Sequence, residues 1–280
     1  MTSTKFILLA TGTPSYYPGR THQQASAVIV GEQPYLIDCG DGAMPRIAEA
    51  LHQGVAAMHF TKLTRLFLTH LHPDHTAGLP GLIIGPWVMR RTEPLHIYGP
   101  KGTRALVGGI LAAYETGIAE HRDGLAPINH PLLVEAHEYT AGEIYRDDQV
   151  TVTAFPVDHG GLKVFGLKFV SADKAIVHSA DTCPVPTLIE AARGCDILIH
   201  EVYLEQAMRE HFPAAWQAYH SSVHTSELQL AEIANAVQPK LLILNHQMLW
   251  GAYRPDDLLA SLRQHYQGEV VYGNDLAVFE

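Results

Sequence analysis

The chain has 280 residues, 47% of them hydrophobic and 17% charged, an ordinary globular composition with enough apolar surface for a sizeable core. Net charge is −10 with histidine neutral, Lys and Arg total 19, and no Lys/Arg run of five occurs. That balance argues against a protein that grips long nucleic acid through its phosphates. Cys39, Cys183 and Cys195 are widely spaced and form no CxxC pair, so a reducing, cytoplasmic setting is expected rather than a disulfide framework.

The first predicted strand, Lys5–Ala10, is too short for the apolar core of a signal peptide and is closed at once by Gly12 and Pro14. No stretch approaches the roughly 18 apolar residues of a membrane span, and no membrane association is expected. Further strands are predicted at Ala27–Val30, Tyr35–Asp38, Arg65–Thr69, Leu95–Tyr98, Val150–Phe155, Phe165–Val170, Ala175–His178, Ile197–His200, Leu241–Asn245 and Val270–Tyr272. They are enriched in Val, Ile, Leu, Phe and Tyr and bounded by Gly, Pro, Asp or Asn. Helices are predicted at Pro45–Gln53, Leu79–Met89, Thr103–Glu115, Pro186–Arg193, Ser226–Val237 and Pro255–Tyr266. In the fifth, Leu228, Ile233 and Val237 trace an apolar stripe behind a capping Ser226. Strands mixed with helices, without repeats or linkers, predict a single α/β domain over 1–280 in which two sheets pack together with helices outside.

Histidine is the unusual residue: 18 occur, and their placement matters more than their number. Thr69-His70-Leu71-His72-Pro73-Asp74-His75 follows the apolar run Leu66-Phe67-Leu68 and places four potential metal ligands within six residues. Imidazole and carboxylate together suit zinc, manganese or iron. His70 and His72, at i and i+2 of an extended segment, point the same way and can grip one ion. Pro73 then turns the chain so that Asp74 and His75 reach a second. Further ligands must come from elsewhere, and His159, Asp181 and His246 each follow a strand-like apolar run, where side chains gather at a sheet edge.

His70-Leu71-His72-Pro73-Asp74-His75 resembles the HxHxDH signature of the metallo-β-lactamase superfamily. The resemblance extends over nearly the whole chain, through Leu9-Ala10-Thr11-Gly12-Thr13, Ile37-Asp38-Cys39-Gly40-Asp41-Gly42, Tyr98-Gly99-Pro100-Lys101-Gly102, Asp158-His159-Gly160, Ser179-Ala180-Asp181-Thr182, His200-Glu201 and His224-Thr225-Ser226. It is to the branch containing ribonuclease Z, related phosphodiesterases and alkyl- and arylsulfatase-like hydrolases. The resemblance implies a four-layer αββα sandwich and two divalent metal ions, zinc first and manganese or iron as alternatives. His70, His72 and His159 would hold one ion, Asp74, His75 and His246 the other, and Asp181 would bridge them. The family more often has Gly at the position of Ala180, and Thr-His or Ser-His where Asn245-His246 stands; neither change removes a ligand. Only 21 residues separate His159 from Asp181, too few for the long tRNA-gripping arm of ribonuclease Z.

Such a centre would direct an activated water onto an ester, with Asp74 orienting it and accepting its proton. By the same resemblance His224 is the candidate acid that protonates the leaving group, and Glu201 a residue that orients it. Asp38 and Asp41 are expected to brace the 70–75 loop by hydrogen bonds. His22, His178, His220 and Asp158 are expected to be structural, His200 either a supporting or a buried structural residue, and His96 a core or sheet-face residue. The segment Tyr203–His220, with Phe212, Pro213, Trp216 and Tyr219, is a candidate lid, and Trp87, Trp216, Trp250 and Tyr219 are candidate pocket residues, each taken singly expected to be ordinary hydrophobic packing. The expected reaction is hydrolysis of a compact phosphodiester, such as a cyclic nucleotide. An aryl or alkyl sulfatase, a lactonase and a ribonuclease Z-type tRNA endonuclease follow in that order, and a metal-binding protein without turnover comes last. The expected partner is a small ester substrate, and the branch suggests a homodimer.

Overall fold

The computed structural model describes residues 3–15, 22–125 and 127–280. Among them, chain order runs β1 (Thr4–Ala10), β2 (Ala25–Val30), β3 (Gln33–Ile37), α1 (Ala43–His52), β4 (Arg65–Phe67), α2 (Pro73–Thr76), α3 (Leu79–Val88), β5 (Leu95–Gly99), α4 (Thr103–Ala113), α5 (Glu115–Asp123) and β6 (Val134–Glu138). There follow β7 (Gly142–Arg146), β8 (Thr151–Val157), β9 (Val164–Val170), β10 (Ala175–His178), α6 (Pro186–Ala192), β11 (Ile197–Tyr203), α7 (Glu205–His211), α8 (Ala214–Val223), α9 (Glu227–Val237), β12 (Leu241–Met248), α10 (Pro255–Arg263), β13 (Val270–Tyr272) and β14 (Val278–Phe279). Two compact units result, residues 1–140 with 275–280, and residues 141–274.

Each unit has its own seven-stranded mixed sheet flanked by helices. In the first the order is β14-β1-β2-β3-β4-β5-β6. Its β14 to β3 side pairs antiparallel and its β3 to β6 side parallel. The second reads β13-β12-β11-β10-β9-β8-β7, parallel from β13 to β10 and antiparallel onward. The parallel strands need crossover connections, and those connections deliver the loops that carry the polar motifs.

Periodicity explains how each sheet is covered. In α1, Ala43, Ile47 and Ala50 recur at helical spacing and are buried with Leu79, Leu82 and Ile83 of α3 against Leu36, Leu66, Leu95 and Ile97 of the strands. Each buried Leu or Ile among them contributes about 1.5–3 kcal/mol through loss of water contact. The second unit repeats the device, with Leu230, Ile233 and Val237 of α9 packed among Leu198, Leu242 and Leu244. Ser226 caps α9, accepting from the Gln229 backbone while the Gln229 side chain accepts from the Ser226 backbone N–H.

Differences from expectation lie in the weakly patterned segments. Strands β6 and β7 were not anticipated; β6 reads Val-Glu-Ala-His-Glu and β7 Gly-Glu-Ile-Tyr-Arg, each with few apolar residues. The helix expected over Thr103–Glu115 ends at Ala113, and a second helix restarts at Glu115. The 203–220 segment, which showed no strand period, is largely helical as α7 and α8. Among the described residues, no helix is long and apolar enough to cross a membrane.

Candidate functional site

In the first unit the polar motif begins where β4 stops. Pro73 occupies the first turn of α2, where its missing N–H costs no hydrogen bond, and the helix carries Asp74 and His75 into the interior. Two glycines make room for this loop: a Cβ on Gly40 would sit 2.2 Å from the Asp74 carbonyl oxygen, and one on Gly78 would sit 2.3 Å from that of Gly40. Asp38, held in the left-handed region at φ 57°, organises the rest. Its Oδ1 accepts from the Thr69 backbone N–H at 2.8 Å, and its Oδ2 lies 2.8 Å from His75 Nδ1. A carboxylate on Nδ1 fixes the ring and directs Nε2 at the site, and His75 Nε2 lies 3.5 Å from Asp74 Oδ2. Asp38 thus braces the loop as expected, whereas Asp41 meets Gln23 through its backbone N–H and carbonyl.

His70 and His72 pair in the same unit. Thr69 Oγ1 lies 3.0 Å from His70 Nδ1, and His70 Nε2 lies 3.0 Å from His72 Nδ1. The four signature residues are therefore together: the His70 and His75 rings are 4.0 Å apart at their centroids, and His70, Asp74 and His75 are buried.

In the second unit, residues that follow β8, β10 and α8 converge with residues of β11 and β12. His159 follows β8, and its Nδ1 lies 2.8 Å from the Val223 carbonyl oxygen, which fixes the tautomer and turns Nε2 inward. Asp181 follows β10; its Oδ2 is 3.9 Å from His159 Nε2 and 3.4 Å from His246 Nε2. His246 lies where the β11–β12 register slips between Glu201 and Val202, and its own φ is 44°. A bulge of this kind re-aims a side chain. His159, Asp181 and His224 each present a donor atom within 4.8 Å of the others.

Glu201 supports that group. Its Oε1 lies 3.0 Å from His224 Nδ1 and accepts from the backbone N–H groups of Thr182 and Thr225 at 3.1 and 3.2 Å. Burial first, and then the negative charge of Asp181, hold its carboxyl well above the usual range. His224 is buried, and its ring centroid is 4.8 Å from that of His159 and 6.0 Å from that of His246. The sequence carried no sign of the Val223 carbonyl, a backbone group 64 residues from His159 in sequence.

The residues expected to be structural fall outside this set. His178 Nδ1 accepts from the Ala180 backbone N–H, and His22 Nδ1 accepts from Arg46. His200 is fully buried with Nδ1 against the Glu201 carbonyl oxygen, and burial lowers its pKa to about 4. Trp87 is buried in the first unit and donates to the His130 carbonyl. Trp250 lines a cavity of about 480 Å³ with Ala207, Glu210, His211 and Tyr253. Phe212 joins Trp250 to His220, whose ring stacks 6.0 Å from that of His224.

The donors fit divalent ions. Imidazole nitrogens and carboxylate oxygens converge in each unit, and His75 and His159 are oriented through their Nδ1 atoms in the manner of metal-binding histidines. The family described as the β-lactamase superfamily domain matches residues 34–247. The chain belongs to that superfamily and is a hydrolase of the metallo-β-lactamase fold, the class the signature implied. Among its relatives, a protein named ribonuclease Z from Mycobacterium bovis (strain BCG / Pasteur 1173P2) is 32% identical over 277 residues, covering 97% of this chain and 96% of the relative. Another ribonuclease Z, from Mycobacterium sp. (strain KMS), is 36% identical over 256 residues, covering 86% and 83%. Of solved structures, the metallo-β-lactamase fold protein YhfI from Bacillus subtilis is similar with TM-score 0.75 at 18% identity, covering 99% of this chain and 98% of that one. The short form of human tRNase Z gives 0.72 at 23%, with the same coverage. At those identities the structures speak for the fold alone.

Proposed function

We propose that this chain is a metal-dependent phosphodiesterase acting on a compact substrate, with His70, His72, Asp74, His75, His159, Asp181 and His246 as ligands of two divalent ions. The observation that carries the reading is the His224–Glu201 pair, 3.0 Å apart and buried beside Asp181 and His246. A ligand set alone would serve storage or sensing. A buried imidazole poised by a carboxylate serves a proton transfer.

Bound there, divalent ions would lower the pKa of a water and offset negative charge on the substrate oxygen. Everything else falls to the chain. Asp74, buried beside His75, orients the attacking water and accepts its proton. His224 Nε2 delivers a proton to the departing alkoxide, while Glu201 Oε1 holds Nδ1 and fixes the orientation of the ring. No side-chain nucleophile is required, and the Cys39 thiol, pushed up by burial, is unsuited to be one. The acidic net charge of −10 favours a small diester over a polyanion. A cytoplasmic homodimer handling a small ester substrate belongs to the same proposal.

RNA cleavage is the second reading, favoured by relatives named ribonuclease Z that align over nearly their whole length. A panel separates the readings: bis(p-nitrophenyl) phosphate, a cyclic nucleotide, p-nitrophenyl sulfate, a lactone and a precursor tRNA, each with and without chelator. The expected result is metal-dependent diester hydrolysis that exceeds sulfate ester and lactone hydrolysis. A sulfate ester turned over orders of magnitude faster would overturn the reading, and precise 3′ cleavage of the precursor would favour the second.

A further inference from the structure

A second group of metal-ligating side chains lies on the face of the first unit's sheet, apart from every residue used above. His96 stands on β5, and Glu135 and His137 stand on the edge strand β6. The parallel register sets His96 opposite Glu135 and Tyr98 opposite His137. Spacing of two along β6 places Glu135 and His137 on one face, while Leu95 and Ile97, on the other face of β5, are buried in the apolar core.

Three single atoms form a closed triangle. His96 Nδ1 and His137 Nε2 are 3.2 Å apart, and Glu135 Oε2 lies 3.4 Å from the first and 3.7 Å from the second. A shared proton between the rings explains one edge. It does not explain why one carboxylate oxygen faces both ring nitrogens at distances longer than the roughly 2.7–2.9 Å of a charge-assisted hydrogen bond. A tetrahedral ion does: with bonds of about 2.0–2.1 Å its ligand atoms stand about 3.3 Å apart, and the triangle matches that edge within a few tenths of an ångström.

We propose that His96 Nδ1, His137 Nε2 and Glu135 Oε2 form a separate divalent-cation site, suited to zinc, with its fourth position open to solvent. Imidazole and carboxylate are the borderline donors such an ion takes. Side-chain exposures of 32% for His96, 39% for His137 and 53% for Glu135 leave the ion a path from solvent. The bound ion would clip edge strand β6 to β5, where backbone pairing is one-sided.

Zinc titration of chelator-stripped, full-length protein tests this, comparing the parent with His137→Ala and with Glu135→Gln. Each variant should bind one zinc per chain fewer than the parent, gain less in Tm from added zinc, and hydrolyse a phosphodiester at the parental rate. Because the readout is a difference, it does not depend on how many ions the buried donors hold. Glu135→Gln alters a half-exposed side chain at constant size and decides the matter if His137→Ala does not fold. Unchanged stoichiometry and affinity in the folded variants would overturn the site.

Discussion

Ala180 and His246 both hold left-handed backbone conformations, at φ 59° and 44°; Ala180 borders the second unit's polar cluster and His246 belongs to it. For an L-residue that conformation costs about 1–2 kcal/mol, a cost glycine avoids. Glycine is therefore the residue that backbone energetics favour at position 180. Ala180→Gly should leave Tm unchanged or raise stability by up to about 1 kcal/mol, against the loss expected of most buried Ala→Gly changes; thermal unfolding checks the sign. His200 supplies a pH dependence. Its pKa falls from an ordinary 6.5 to about 4 through burial, so between those values the unfolded chain takes up a proton that the native chain refuses. Its contribution is present above pH 6.5 and is lost as pH falls toward 4, by about 3 kcal/mol in all. Denaturant unfolding of parent and His200→Asn at several pH values should show the parent losing ground to the variant over that window; a constant gap would contradict it. His224→Ala should lower kcat by about 10²–10⁴ without changing metal content, and Glu201→Gln should shift the basic limb of the pH–rate profile, as loss of a positioning carboxylate would.

At the scale of elements, legibility followed the strength of the apolar pattern. Strands β11 and β12 stood out because their first residues, Ile197–Ile199 and Leu241–Leu244, form unbroken apolar runs. The Ser226 cap was readable because serine at a helix start has one dominant use. Its removal in Ser226→Ala should cost about 1 kcal/mol, measured by chemical denaturation. Strand β6 was missed for a reason that bears on function: its Glu135 and His137 break the β-former pattern, and they are the residues that meet His96. Helices α7 and α8 escaped although Phe212, Trp216 and Tyr219 stand at i, i+4 and i+7, the spacing of one helical face: Pro213 interrupts the run, and Trp216 and Tyr219 are about half exposed, so these helices do not present an ordinary core stripe.

For the whole molecule, the superfamily could be read from the sequence, since the spacing of His70, His72, Asp74 and His75 has few other uses. The substrate could not, because the surroundings of His224, such as Phe212, His220 and Trp250, are brought together by packing and lack any motif. Metal should also be a folding ligand: stripping it should lower Tm, and restoring zinc at a hundred times its dissociation constant should return about 2.7 kcal/mol. The most direct test of the account is the metal content of Asp181→Ala, made in the His137→Ala background so that the sheet-face site holds no ion. The His137→Ala parent should carry two divalent ions per chain and hydrolyse a phosphodiester, and the added Asp181→Ala change should cut both metal content and turnover sharply. A folded double variant that keeps both ions and parental turnover would contradict the account.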